Sequence, residues 1–390
     1  MKICINVALR WLYPVKNFCR RARLLSHQFT LRWVRRRFDA RSTDTMTIKA
    51  ALFRSATVST VFALASAFAT AAPVSAAAPQ VRTQAPGFYR MILGNFEITA
   101  LLDGTHPFPD VEVLTKAKPG AEAERSKLFD DHPGEANTLL AASDLAVPTE
   151  GSINAFLVNT GTKLILIDSG AGTLYGACCG HLMNNLRAAG YQPEQVDEVL
   201  LTHLHADHVG GIAPGGKMAF PNAVVRASKL DADYWLDGAN ENAAPAFLRP
   251  MFEGDKASLR PYIAAGRFLP FDGGLELVPG IRAIPAPGHT VGHTFYAIES
   301  EGQKLVVWGD VVHVAAIQFP DPAVSVEYDT DVKQAEQTRE AIFSQAARQG
   351  FWIGAAHISF PGIGHVGIRA DTFVWIPAEY TTQLSKAAGN

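Results

Sequence analysis

The sequence predicts an α/β protein, a four-layer αββα sandwich in which two sheets pack face to face with helices outside. Two observations carry this prediction. Apolar runs of strand length alternate with helical segments, and a β-rich block followed by helix occurs twice. Histidines and aspartates also stand at the ends of several of these strands, so their side chains can converge on one rim. The composition agrees. The 390 residues are 48% hydrophobic and 18% charged, with mean hydropathy +0.06, which suits one large domain or two small ones.

The N-terminus stands apart from this pattern. Residues 1–45 carry eleven Lys/Arg against Asp39 and Asp44, and read as an extension from a mis-assigned start. From Met46, Lys49 and Arg54 form a basic region, residues 56–72 an alanine-rich apolar stretch, and Val74-Ser75-Ala76 a small-x-small cleavage site. Residues 46–76 are therefore expected to be a signal peptide of an exported, periplasmic or secreted protein. The stretch is short and closed by Pro73, whereas a span needs about 20 strongly apolar residues, so no stable membrane anchor is expected. Residues 77–390 are expected to form a single domain. Its net charge of −13 argues against nucleic acid as a partner, which requires a basic face. It keeps two cysteines, Cys178 and Cys179. Neighbouring cysteines close a strained ring poorly, so no disulfide framework is expected, only buried or half-buried thiols.

Within the domain, Phe96–Thr105 alternates like a strand and ends in a turn. Residues 106–150 are rich in Pro, Gly and Ala and read as irregular, with one helix at "GAEAERSKLFDD". "SINAFLVNTGTKLILIDSGAG" is a hairpin around Asn159–Gly161. "LMNNLRAAGY" is a helix stopped at Gly190, and "VDEVLLTH" a short buried strand. The second cycle comprises strand "AVVRAS", helix "KLDADYWLD" and a variable insertion over 239–270. Strands follow in "GLELVPGIRAIPAPGHT" and "HTFYAIESEGQKLVVWGDVV", then the longest amphipathic helix, "DVKQAEQTREAIFSQAARQG", and a closing strand, "FWIGAAH".

The chemistry is concentrated in "LLTHLHADHVGG". His203 and His205 leave a buried strand two positions apart, so in extended backbone they share a face and can reach one ion. Asp207 and His208 follow as the chain turns, and adjacent residues point apart, so this pair can serve a neighbouring ion. Gly210 and Gly211 permit close approach of the next segment. One loop supplies too few ligands for a divalent site, and the rest of the chain offers more. His289 in "PAPGHTVGH", Asp310 in "LVVWGD" and His357 in "WIGAAH" each end a strand. Imidazole with some carboxylate suits zinc and similar ions.

H-x-H-x-D-H with a later His, a Gly-Asp and a final His resembles the metallo-β-lactamase superfamily of dinuclear hydrolases over roughly Phe96 to Tyr380. "APQVRTQAPGFYRMILGNFEITAL", "AAGYQPEQVDEV", "NAVVRA" and "HISFPGIGH" resemble the methyl parathion hydrolases and their lactonase and arylesterase relatives. The resemblance implies two divalent ions, with zinc preferred. His203, His205 and His289 would bind one, Asp207, His208 and His357 the other, and Asp310 would bridge. Asp207 and Asp310 are thereby also its expected catalytic carboxylates. Asp168 would hydrogen-bond a ligand imidazole and fix its tautomer. Tyr175, Trp235, Met251 or Phe252, His313 and Tyr328 would surround the substrate pocket. His293 is expected to be structural, and His365 to belong to a closing loop. His106, His132 and His181 lack partners at ligand spacing and are read as bystanders.

The implied reaction is hydrolysis by a metal-bridging hydroxide, with no serine or cysteine nucleophile. His313 and Tyr328 stand where phosphotriesterase relatives carry smaller residues, which favours aryl lactones or aryl esters with weak organophosphate triester hydrolysis. A principal phosphotriesterase is the alternative; a β-lactamase proper and an acyl-homoserine lactonase are further enzymatic rivals. A non-catalytic metal-binding module on the same fold is the rival of another class, but all seven ligand positions are intact. The partners expected are a small-molecule ester, lactone or phosphotriester and, from the family, a second copy in a homodimer.

Overall fold

A computed structural model describes residues 78–118 and 120–384. The extension and signal peptide expected over 1–76 lie outside the described residues, and the compact unit begins at Pro79. No helix among the described residues is long and apolar enough to cross a membrane.

The first sheet has six strands, in the order Phe88–Leu93, Phe96–Pro107, Glu150–Asn159, Leu164–Ile167, Glu198–Leu200 and Val224–Arg226. Its first four strands pair antiparallel, while the last three run parallel. The second has seven, Thr372–Pro377, Ile363–Arg369, Trp352–Gly354, Gln303–Val307, Thr294–Ser300, Ile281–Pro285 and Glu276–Val278. Tyr89, Ile98, Phe156 and Ile165 from the first share one apolar cluster with Ile281, Tyr296, Ile298 and Val307 from the second. The two sheets therefore face each other. The outer face of the first is covered by helical residues including Leu186, Trp235, Phe252 and Tyr262. Ile342, Phe343 and Ala346 of the Val332–Gln349 helix cover the second. This is the expected αββα layering.

Three segments differ from the sequence-based expectation. "GAEAERSKLFDD" is a strand, Ala121–Lys127, followed by a single helical turn, Leu128–Asp131. Antiparallel pairing with Leu114–Lys118, in a small third sheet, overrides its helical composition. The supposed insertion over 239–270 holds two helices, Gly238–Ala243 and Arg249–Ala264. The second buries Phe252, Leu259 and Tyr262, so it belongs to the core. "FWIGAAH" does not close the fold, because the Ile363–Arg369 and Thr372–Pro377 hairpin extends its sheet.

The Arg249–Ala264 helix also buries Asp255, whose two carboxylate oxygens make no hydrogen bond to any described residue. Burial, then the charges of Asp231 and Asp207, push this carboxyl well above its ordinary value. It ionises readily in the unfolded chain and resists ionising in the fold, so the fold loses stability as pH rises above the ordinary carboxylate range. Asp255→Asn should accordingly raise the melting temperature at pH 8 and leave it nearly unchanged at pH 4. A gain of equal size at both pH values would show that charge burial is not the cause.

Candidate metal centre

The candidate ligands all leave the C-terminal ends of strands at one rim. Glu198–Leu200 leads into His203, and Ile281–Pro285 into His289. Gln303–Val307 leads into Asp310, and Trp352–Gly354 into His357. His205 is still extended, with φ −119° and ψ 154°, and caps the short helix Ala206–Val209 that carries Asp207 and His208. Gly211 lets this helix approach the loop after Leu164–Ile167; a Cβ there would lie 1.9 Å from the Ser169 carbonyl oxygen. That same loop holds Asp168 at φ 59°, a left-handed backbone that aspartate tolerates better than most residues.

Two groups of ligand atoms result. One is His203, His205, His289 and Asp310, the other Asp207, His208, Asp310 and His357; within each, the ligand atoms lie within 4.8 Å of one another. Asp310 belongs to both. Its Oδ1 is 3.0 Å from His208 Nε2, and its Oδ2 lies 3.0 Å from His357 Nε2 and 3.3 Å from His289 Nε2. All seven residues are buried.

The imidazoles are aimed by what their other nitrogen meets. His208 Nδ1 is 3.0 Å from Asp168 Oδ2, His289 Nδ1 is 2.7 Å from Asp329 Oδ1, and His357 Nδ1 is 2.9 Å from the Ser152 carbonyl. Each contact requires Nδ1–H, which leaves the Nε2 lone pair facing the rim. Thr202 donates to Asp168 Oδ2 and can accept from His203 Nδ1 at 3.0 Å, fixing that ring likewise. The Asp310 amide donates to His293 Nε2 while His293 Nδ1 meets the Ala286 carbonyl, so His293 is neutral and positions Asp310. Burial pulls His293 down to about 3. Burial alone would raise Asp310, but the surrounding imidazoles hold its carboxylate well below the usual range. Burial also opposes charge on His289, yet Asp310 and Asp329 lift it to about 9, so its Nε2 carries a proton that a bound cation would displace.

The donor set fits metal ions. Among the described residues the buried His203, His205 and His208 Nε2 atoms and Asp310 Oδ1 have no hydrogen-bond partner, a costly arrangement unless a cation takes those lone pairs. Two residues behind the ligands were not singled out in the sequence. Asp329 follows an unremarkable Glu-Tyr, and Asp231 lies inside a helix that reads as amphipathic; neither has a local signature. Asp231 accepts from Leu204 N, Thr290 Oγ1 and Gly292 N, tying the His203–His208 segment to the His289 loop.

The substrate-pocket residues divide. Tyr175 donates to Asp207 Oδ1 at 3.3 Å from a half-exposed position. The His313 ring stacks on His357 at 5.0 Å with its Nε2 3.1 Å from Asp310 Oδ2. Tyr328 packs at the edge of a neighbouring core cluster, its ring 6.5 Å from that of Phe247. Trp235 and Phe252 do not line an open pocket: they are 1% and 0% exposed, and Trp235 packs edge-on against His205 from the core side. Adjacent helix positions point about 100° apart, and it is Met251, one residue earlier, that lines a cavity of about 410 Å³ with Leu174, Tyr175, Ala206 and Phe247. His106, read as a bystander, lies edge-on to Tyr175 at 5.9 Å. His365 packs against Trp352 with ring centroids 3.8 Å apart and the planes tilted by 37°, in the second sheet.

Replacing Asp168 or Asp329 by Asn should weaken metal binding about 10–100-fold, because each loses an imidazole-orienting carboxylate. Competition against a chromophoric chelator measures this, and unchanged affinity in both variants would rule out the orienting role.

Comparison with known proteins follows the same lines. Residues 148–357 match the metallo-beta-lactamase superfamily. An N-acyl homoserine lactonase from a Bacillus species is 31% identical over 120 residues, 31% of this chain and 40% of the relative. Another, from Bacillus cereus, is 27% identical over 147 residues, 38% of this chain and 50% of the relative. The chain thus spans half or less of these curated relatives' length. Among solved structures, the hydrolase AbOPH of the beta lactamase superfamily is 38% identical with TM-score 0.69, covering 77% of this chain and all of that one (100%). AidC, a dizinc quorum-quenching lactonase in complex with a product, is 27% identical with TM-score 0.65, covering 76% and 99%. The chain belongs to the metallo-β-lactamase superfamily.

Proposed function

We propose that this protein is a dinuclear, zinc-dependent hydrolase of lactones and aryl esters, with weaker hydrolysis of organophosphate triesters, within the methyl parathion hydrolase group. The observation that carries the reading is the placement of His313: its Nε2 stands 3.1 Å from the shared carboxylate Asp310, inside the rim of ligands. The lactonases among its relatives support the lactone class.

When bound, two divalent cations supply Lewis acidity toward an ester oxygen and toward water. The chain's own residues do the rest. Asp310 lies 3.3 Å from His289 Nε2 of one group and 3.0 Å from His208 Nε2 of the other, and so keeps the two halves of the site in register. His313, pulled down to about 4 by burial, is neutral, and its one N–H, on the Nε2 that faces Asp310, would pass to a substrate oxygen once cations occupy that carboxylate. A planar carbonyl group can approach that N–H more closely than a tetrahedral dialkyl phosphoryl group can. Tyr175 stays protonated, since burial of its hydroxyl end and then Asp207 push its phenol well above the ordinary value, so it remains a donor at the cleft mouth. Burial pushes Tyr328 up to about 12, with the same consequence. Leu174, Phe247 and Met251 give the adjoining cavity an apolar wall for the acyl or aryl part of a substrate. Export through the leader at 46–76 is part of the same proposal and is supported by the sequence alone; N-terminal sequencing of secreted protein tests it.

Chelator-stripped protein should lose turnover, and zinc, cobalt or manganese should restore it. With reconstituted protein, kcat/KM for dihydrocoumarin-type lactones and aryl acetates should exceed that for methyl parathion, with acyl-homoserine lactones and a β-lactam assayed alongside. A higher value for methyl parathion would reverse the assignment to a phosphotriesterase. His313→Ala should narrow the lactone-to-triester ratio by about tenfold or more, the worth of one lost hydrogen bond to the reacting group.

A further inference from the structure

The loop that presents Tyr175 to the metal rim also holds both cysteines of the domain. Cys178 is half-buried and Cys179 buried, and both are free thiols. Their sulfurs lie 2.7 Å apart, a short step from the roughly 2.0 Å of a disulfide. Cys178 Sγ also donates to the Tyr175 carbonyl at 3.4 Å, across the turn Gly176–Cys178. Tyr175 in turn donates to Asp207 and lines the substrate cavity. The residues after the pair are fixed, because Gly180 N and Leu182 N both donate to buried Asp103. Any adjustment at the pair therefore falls on the turn before it, which ends at Tyr175.

We propose that Cys178 and Cys179 are a reversible redox modification site, closing to a vicinal disulfide whose ring strain leaves it readily reduced, and that closure displaces Tyr175 and reshapes the substrate cleft. The co-reactant is a small-molecule disulfide. The Cys178 thiolate attacks one of its sulfurs, giving a mixed disulfide and releasing one thiolate; the Cys179 sulfur then displaces the second as the ring closes. Two protein S–H bonds and one external S–S bond become one protein S–S bond and two external S–H bonds. Cys178 attacks first. It is the more accessible sulfur, and burial, then the contact with Cys178, hold the Cys179 thiol well above its ordinary value. Once closed, the ring removes the Cys178 S–H from the Tyr175 carbonyl. The effect on turnover rests on the hydrolase reading above, whereas ring closure does not.

The test treats metal-loaded protein with oxidised glutathione, alkylates it, and weighs the peptide that contains both cysteines. The expected product is lighter by two hydrogens and unalkylated, and dithiothreitol restores double alkylation. In the oxidised protein KM for a lactone substrate should rise several-fold, with a smaller change in kcat. Cys178→Ser and Cys179→Ala should each keep the KM of the reduced protein and lose the response. Two alkylated thiols after glutathione treatment, or a glutathione adduct that never resolves, would overturn the site. Ring closure that leaves KM unchanged would overturn the link to Tyr175.

Discussion

A buried carboxylate surrounded by imidazoles organises this protein. Asp310 is 3% exposed and lies within reach of His203, His208, His289, His313 and His357. A lone ionised carboxylate at such depth would be expensive, and so would a crowd of neutral imidazoles with lone pairs facing one another. Each is tolerable only in the presence of the other, and both are relieved by cations. The orphaned nitrogens of His203, His205 and His208 are the clearest sign that the centre is built for charge the polypeptide does not itself supply.

Around that centre a second tier of polar contacts makes the geometry rigid. Asp168, Asp329 and the Ser152 carbonyl each turn one imidazole, while His293 holds the Asp310 amide. Arg339, buried in the Val332–Gln349 helix, donates to the Val311, Pro322 and Val324 carbonyls and ties down the segment that follows Asp310. These contacts join both sheets and the Val332–Gln349 helix, so the rim is assembled only when those layers are packed together. Stability and chemistry are thus coupled through the same hydrogen bonds.

The substrate side is built differently. Tyr175, Phe247 and Met251 come from loops and from the flank of an outer helix, where they are partly exposed and answer to few constraints. Trp235 and Phe252 show the contrast. They are aromatic and close to the ligands, yet they serve as a wall behind His205 because the helices carrying them turn those positions inward. Proximity to a metal loop does not make a residue part of the cleft; the face of its helix decides.

How much was legible in the sequence follows from the range of the forces involved. The strand that ends in His203, the two-residue spacing to His205 and the glycines that follow are local features, and local sequence specifies them. The hairpin at Asn159–Gly161 and the long final helix were legible for the same reason. Asp329, Asp231 and the unpaired Asp255 carry no local mark, since their roles depend on partners 27 to 61 positions away or on burial alone. The Ala121–Lys127 strand was misread because pairing with Leu114–Lys118 outweighs the preference of its residues. By itself, the sequence determined which side chains could bind metal and where strands would deliver them. Only the tertiary structure decided which face of each outer helix meets the site, because burial is a property of the packed layers and not of any one segment.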